Sequence, residues 1–422
     1  MSTAHPQAPP ELPDLFDPTT VRDPFEAYAS YRRIGPVYDE RNGCWILARH
    51  HDVVEALHQP ALLSSQGGFR ALMGGSVGPP AARGRGAAVG LDEFIGSRVL
   101  IASDPPDHTK LRRLVSRPFT KGAMAAWQPR IAARAEEVID EFVQRLDAGD
   151  ADLVRDLAIP LPVLVIADVL DIPAERMADF RRWSDALVGT LGGDVDLAAA
   201  QVEIQQMFEF FFDLAQLRRQ DPGDDLISAI AVAEPDGEAL DPLEVVMFCV
   251  LLLVAGNETT TNLLGNLQEA LWAYPDEADL LASRPELISA TIEEALRFCG
   301  PVQGLFRATT EPCTFGAVTI PADQIVMVLF ASANRDEQVF PAGDTFQIER
   351  DNRDHVAFGH GVHYCLGAQL ARLETAEVLR GLSRRSVTLA PNGSASRTTN
   401  PILRGFTSLP VSRVSPTTGP PP

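Results

Sequence analysis

The stretch Phe358-Gly359-His360-Gly361-Val362-His363-Tyr364-Cys365-Leu366-Gly367 runs straight into the amphipathic segment AQLARLETAEVLRGL. Three glycines crowd one cysteine just before a helix. Glycine serves where backbone turns with positive φ or approaches a ligand closely, and a helix start offers free N–H groups and positive potential that favour thiolate over thiol. The fold therefore has to present Cys365 from a tight loop as an anionic ligand. The other cysteines, Cys44, Cys249, Cys299 and Cys313, are scattered singly and read as small buried hydrophobes. None belongs to a C-x-x-C pair that would hold zinc, and an odd set of cysteines fits a reducing cytoplasm.

Around that loop the pattern is helical. Apolar residues recur at helical spacing in 123–146, 173–191, 198–219, 242–274, 285–298 and 365–382. Strand-like segments are short: 44–48, 314–320, 325–329 and 406–411. The expected fold class is mainly α, a single body with a large helical lobe and a small β-rich lobe. We expect a poorly packed N-terminal segment over 1–20, the body over 21–412 and a solvated tail over 413–422. Residues 67–90 are rich in Gly and Pro. Gly84, Gly86 and Gly90 do not have phosphate-loop spacing, so a long loop of lid or binding type is expected there.

Composition excludes several classes. Against 36 basic residues stand 57 acidic ones, a net charge of −21, which disfavours phosphate backbones and anionic lipid. No nucleic-acid or membrane partner is expected. The N-terminus lacks a signal-peptide pattern, and the apolar run 245–255 is too short to span a bilayer.

Three further clusters carry polar chemistry. Ala255-Gly256-Asn257-Glu258-Thr259-Thr260 places an acid and two hydroxyls inside an apolar helix, where unpaired polar groups are costly. A kink at Gly256 with threonine bonding back to the preceding turn accounts for part of this, but not for Glu258. Glu294 and Arg297 lie three apart on one helical face and can pair. In Asp104-Pro105-Pro106-Asp107-His108-Thr109-Lys110-Leu111-Arg112, His108 and Arg112 share a face.

Residues 358–367 match every specified position of F-G-x-G-x-H/R-x-C-x-G, and the chain thereby resembles the cytochrome P450 haem-thiolate monooxygenases. The resemblance runs from about Pro24 to Pro410. It implies haem b (iron protoporphyrin IX) as cofactor, Cys365 as the proximal iron ligand, and Phe358, Gly359 and Gly367 as the loop around the sulfur. It implies His108, Arg112, Arg307 and His363 beside the haem propionates. Gly256 would open a groove for dioxygen, with Glu258 and Thr259 routing protons, and Arg350 would join Glu294 and Arg297 in a buried charge network. One position departs: relatives usually have glycine where Asp323 follows Pro321-Ala322.

The same resemblance implies hydroxylation or epoxidation with O2 and two electrons from a separate ferredoxin and ferredoxin reductase. The enzyme would be a cytoplasmic monomer. A peroxide-driven peroxygenase and a non-catalytic haem-thiolate sensor are the rival readings, and neither needs Glu258 and Thr259 for proton delivery. By position, Leu252, Ala255, Gln303 and Leu305, with parts of 67–94, 180–191 and 403–406, would line a pocket for a medium-sized hydrophobic small molecule. Gln303 is expected either to bond a substrate oxygen or a water, or to bond only to backbone. Lys110, Arg113, Arg117 and Arg372 would form a basic patch that steers the ferredoxin.

Overall fold

The computed structural model describes residues 12–73, 99–192, 196–223, 225–234 and 240–414. At its centre lies the Pro242–Ala273 helix. Asp241 caps it, accepting from the Glu244 N–H while the Glu244 carboxylate accepts from the Asp241 N–H, and Pro242 fills the first position, where no N–H is needed. The helix is long and apolar enough to cross a membrane. Helices Pro160–Val169, Met177–Gly192, Leu197–Gln220, Ile288–Cys299 and Ala368–Arg384 pack around it instead, and its apolar residues merge with theirs into the main core.

A five-stranded sheet forms the smaller lobe, in the order Val37–Asp39, Cys44–Leu47, Ile325–Val328, Leu305–Thr309, Leu63–Ser64. Cys44–Leu47 runs parallel to Ile325–Val328, and the other pairs are antiparallel, with Arg307 opposite Val326. Two of the four expected strands, 44–48 and 325–329, are thus close to their sequence bounds. Segment 314–320 is a hairpin of Cys313–Phe315 and Val318–Ile320, and 406–411 splits into Phe406–Ser408 and Pro410–Arg413 because two different sheets take its halves. Asp323 adopts φ +58°, so the turn keeps the left-handed geometry that glycine gives more easily.

Three expectations need correction. The last long helix begins at Ala368, not at residue 365, since the cysteine remains in the preceding loop. Of the N-terminal segment 1–20, Leu12 and Leu15 are buried against the sheet lobe and Pro18–Arg22 is helical; residues 1–11 lie outside the described set. Of the expected loop, 74–90 also lies outside it, but Ser65–Met73 is a helix. Its glycines allow close packing on the strand that bears Arg307: a Cβ on Gly68 would stand 2.2 Å from the Phe306 carbonyl oxygen.

The expected charge pair is wholly buried. Arg297 reaches both Glu294 oxygens at 2.8 and 2.7 Å and donates to the carbonyls of Asn334, Gly343 and Thr345. Arg350 adds a 3.3 Å contact to Glu294 and donates to Pro341 and Ala342 carbonyls. Every donor and acceptor in this network depends on the others. Arg297→Leu, which strands Glu294 and three carbonyls, should cost about 3–5 kcal/mol, read as a lowered urea midpoint at unchanged slope. Arg350→Gln should cost less. A midpoint equal to wild type in Arg297→Leu would contradict the network.

Candidate active site

The cysteine loop is closed by backbone. Cys365 N–H donates to the Phe358 carbonyl at 2.9 Å, while Gly359 and Gly361 take φ of +68° and +67°. Gly361 is needed twice over, because a Cβ there would lie 2.5 Å from the Leu57 carbonyl oxygen. Gly367 is different: its φ is −83°, and no protein atom comes within 4 Å of the place a Cβ would take. Beyond its chain neighbours, no protein crowds that position of the loop. Burial raises the Cys365 thiol, and the Gly367 N–H, Arg112 and Arg372 pull it down without offsetting burial. The polypeptide alone therefore does not favour the thiolate as expected; a bound metal ion would favour it.

Beside the loop, four cationic or imidazole side chains converge. The His108 and His363 rings lie 4.1 Å apart between centroids. Arg307, buried in its strand, donates to the Phe306 carbonyl, and burial pushes it down to about 10. His108 falls to about 4, chiefly by burial and then by Arg112; His363 falls to about 3 by burial and by the charges of His108, Arg307 and Arg112. Both His108 nitrogens are buried without a hydrogen-bond partner. His363 Nε2 sits 3.0 Å from Ser65 Oγ, and Asp104, the nearest carboxylate, instead binds Ser64 and the Ser65 N–H. Among the described residues no carboxylate is hydrogen-bonded to any of the four. Buried groups of this kind call for an anion.

The second motif lies on the central helix. Glu374, fully buried on the helix that follows the cysteine, hydrogen-bonds Thr260 and is raised by burial to about 8. The two motifs meet there. Sequence reasoning passed over Glu374, although an acid on the buried face of ARLETAEVL was the available signal. Thr259 Oγ1 donates back to the Ala255 carbonyl at 2.7 Å, which leaves the hydroxyl oxygen able to accept. Glu258 is raised by burial, and its Oε2 is buried without a partner. Asn257 is structural, tied to Ser184 and Thr261. Gly256 has a packing reason of its own: a Cβ would stand 2.9 Å from Ile166 Cδ1.

Other assignments change. Gln303 is 3% exposed; its amide donates to the Gly300 and Pro301 carbonyls at 3.0 and 3.3 Å, and its oxygen accepts from the Tyr28 hydroxyl at 3.2 Å. All its polar atoms are engaged by protein, so it does not serve as the expected substrate anchor. Phe180 and Phe406 are core residues, Leu252 is half-buried against the same core, Leu305 packs on the sheet lobe, and Ala255 is exposed. Arg372 is not a free surface cation, being held by both oxygens of Glu293. Arg113 and Arg117 are exposed, and Lys110 pairs with Asp107 at 3.6 Å. Gln303→Leu should lower stability by roughly 1–3 kcal/mol, measured by thermal unfolding, with substrate affinity unchanged. A selective loss of affinity for oxygenated ligands would restore the anchor reading.

These residues fit a planar iron-bearing group with two carboxylates. Space is open at Gly367, two residues after the cysteine, and the orphaned His108 nitrogens with Arg112, Arg307 and His363 supply donors for both carboxylates. Comparison with known proteins points the same way. A family model described as Cytochrome P450 matches residues 276–382. Cytochrome P450 107B1 of Saccharopolyspora erythraea is 37% identical over 412 residues, 95% of this chain and 98% of that protein. The vitamin D(3) 25-hydroxylase of Pseudonocardia autotrophica is 38% identical, with 91% and 98% covered. The structure of cytochrome P450 CYP109Q5 from Chondromyces apiculatus superposes with a TM-score of 0.79 at 33% identity, covering 96% of this chain and 99% of that one. With likeness of this extent over nearly the whole length, the chain belongs to the cytochrome P450 family of monooxygenases.

Proposed function

We propose that the protein hydroxylates or epoxidises a medium-sized hydrophobic small molecule, using haem b, O2 and two electrons from a ferredoxin and its reductase. The observation that carries this reading is the set of buried His108 nitrogens without partners, beside Arg112, Arg307 and His363 and next to the open Cys365 loop. Haem with a thiolate ligand supplies O–O cleavage and oxygen insertion. The protein supplies the rest. Cys365 holds the iron, Gly359 and Gly361 bend the loop that presents it, Phe358 and Gly367 frame the sulfur, and the four cationic or imidazole groups bind the propionates.

Proton delivery falls to the central helix. Burial raises the Glu258 carboxyl and so favours its proton-bearing form, and its buried Oε2 has no hydrogen-bond partner, which suits it to pass a proton. Thr259, whose hydrogen is already given to Ala255, accepts and orients that proton's path. Peroxygenase and sensor readings leave both side chains without work. The substrate class rests on the half-buried apolar side chains of Leu252 and Leu305 and on the vitamin D(3) 25-hydroxylase relative. Arg113 and Arg117 remain the exposed cations suited to steering an acidic ferredoxin. A cytoplasmic monomer belongs to the same reading, with all five cysteines unpaired.

Cys365→Ala should bind no thiolate-ligated haem, so the strongly red-shifted Soret band of the ferrous carbon monoxide complex is expected to vanish; its survival would overturn the ligand assignment. Glu258→Gln and Thr259→Ala should keep that band yet form product on the order of a hundredfold more slowly, with more peroxide released per electron. Unchanged coupling in both would remove the proton role. Turnover with a surrogate ferredoxin and reductase, set against turnover with peroxide alone, separates the monooxygenase from its rivals.

A further inference from the structure

Beyond the cysteine loop, one ionic group has no part in the mechanism so far. Arg372 lies seven residues after Cys365. Its Nε and Nη2 meet the two oxygens of Glu293 at 2.5 and 2.8 Å, and Nη1 reaches the Ala368 carbonyl at 3.2 Å. Its guanidinium stands 4.5 Å from the centroid of the Phe358 ring, and the Phe358 carbonyl accepts the Cys365 N–H. The hydroxyl of Tyr364, adjacent to the cysteine, also bonds Arg372.

Glu293 is fixed from the other side. The Ala357 N–H donates to His355 Nδ1 at 3.2 Å, so the ring hydrogen is on Nε2, which points at Glu293 Oε2 from 3.0 Å. An imidazole and a guanidinium thus hold one carboxylate. Both partners are largely buried, with side-chain exposures of 23% for Arg372 and 29% for Glu293.

We propose that Glu293 is a positioning residue that sets the reduction potential of the iron site by neutralising Arg372, an assignment that rests on Cys365 being the iron ligand. Arg372 borders the cysteine loop at two points, over the Phe358 ring and at the hydroxyl of Tyr364, the residue before Cys365. A positive charge there stabilises the added electron when ferric iron is reduced, and Glu293 cancels most of that effect. Substrate-free enzyme therefore stays harder to reduce. Glu293 achieves this without touching sulfur or haem, through the one salt bridge and the Phe358 ring that Arg372 covers. The Glu293 carboxyl is itself held down to about 2 by hydrogen bonds from Arg372 and His355 against its burial, so it is charged throughout the working pH range.

The sign pattern provides the test. Spectroelectrochemical titration of substrate-free holoenzyme should show Glu293→Gln with a higher midpoint. At fixed poise the ferrous-to-ferric ratio rises about tenfold, equivalent to about 59 mV for one electron. Arg372→Gln should lower the midpoint by a similar factor, and the double variant should return to within about twofold of wild type. Glu293→Asp, which keeps the charge, should also stay within about twofold. The red-shifted carbon monoxide band is recorded first in each protein. Its absence from wild type would refute the ligand assignment, whereas its presence with both single variants shifting in the same direction would refute the charge proposal and leave the ligand assignment standing. Should Arg372→Gln fail to hold haem, Glu293→Gln against Glu293→Asp decides alone: equal midpoints overturn the proposal.

Discussion

The buried guanidinium of Arg297 fixes the geometry on which the site depends. Between strand Ile325–Val328 and the cysteine loop the chain has little regular structure, and such backbone cannot satisfy its own carbonyls. Arg297 takes three of them, at Asn334, Gly343 and Thr345, while Glu294 accepts the Gln347 N–H. From the same region Asn334 accepts the Val356 N–H at 2.6 Å, which sets the entry to the loop two residues before Phe358. A helix buried against the core thus supplies the reference point for a loop that has no sheet or helix to place it.

The next residue on that helix acts outward. Glu294 is turned into the core with Arg297, and Glu293, its neighbour, faces Arg372 and His355. One helix turn therefore ties the irregular segment on one side and the helix after the cysteine on the other. The consecutive acids serve two independent ion pairs because adjacent residues point about 100° apart on a helix.

Much of this was legible in the sequence, and what was not has identifiable causes. The FGHGVHYCLG loop, the Glu294–Arg297 pair and the polar turn in the central helix are local patterns, and locality is what a sequence preserves. Gln303 stayed undecided between substrate and backbone because its partners, Tyr28 far upstream and the turn carbonyls of Gly300 and Pro301, become visible only in three dimensions. Arg372 read as an exposed cation for the same reason, its partner Glu293 being 79 positions away. Gly256 suggested a groove, yet its missing side chain admits Ile166 from another helix. Gly67 and Gly68 looked like loop residues, and packing on the Arg307 strand outweighs their low helix propensity. Leu12 and Leu15 sit in a proline-rich stretch, but burial against the sheet lobe orders them.

Overall charge gave the wrong sign for the site. A chain of net charge −21 would be expected to repel anions, yet His108, Arg112, Arg307 and His363 stand together without a hydrogen-bonded carboxylate among the described residues. The surplus acid is spent elsewhere: Arg134 is matched by Asp168, Arg385 by Glu136 and Asp140, and Arg155 by Asp156. Asp104, the acid closest to the cluster, is occupied by Ser64 and Ser65. Because Coulomb interactions among partly buried groups outweigh those of distant, screened surface charge, the local arrangement decides what binds. Burial first, and neighbouring cations second, disfavour the charged forms of His108 and His363, and burial lowers Arg307 as well. A ligand bearing two carboxylates offers these buried groups the acceptors that the polypeptide does not.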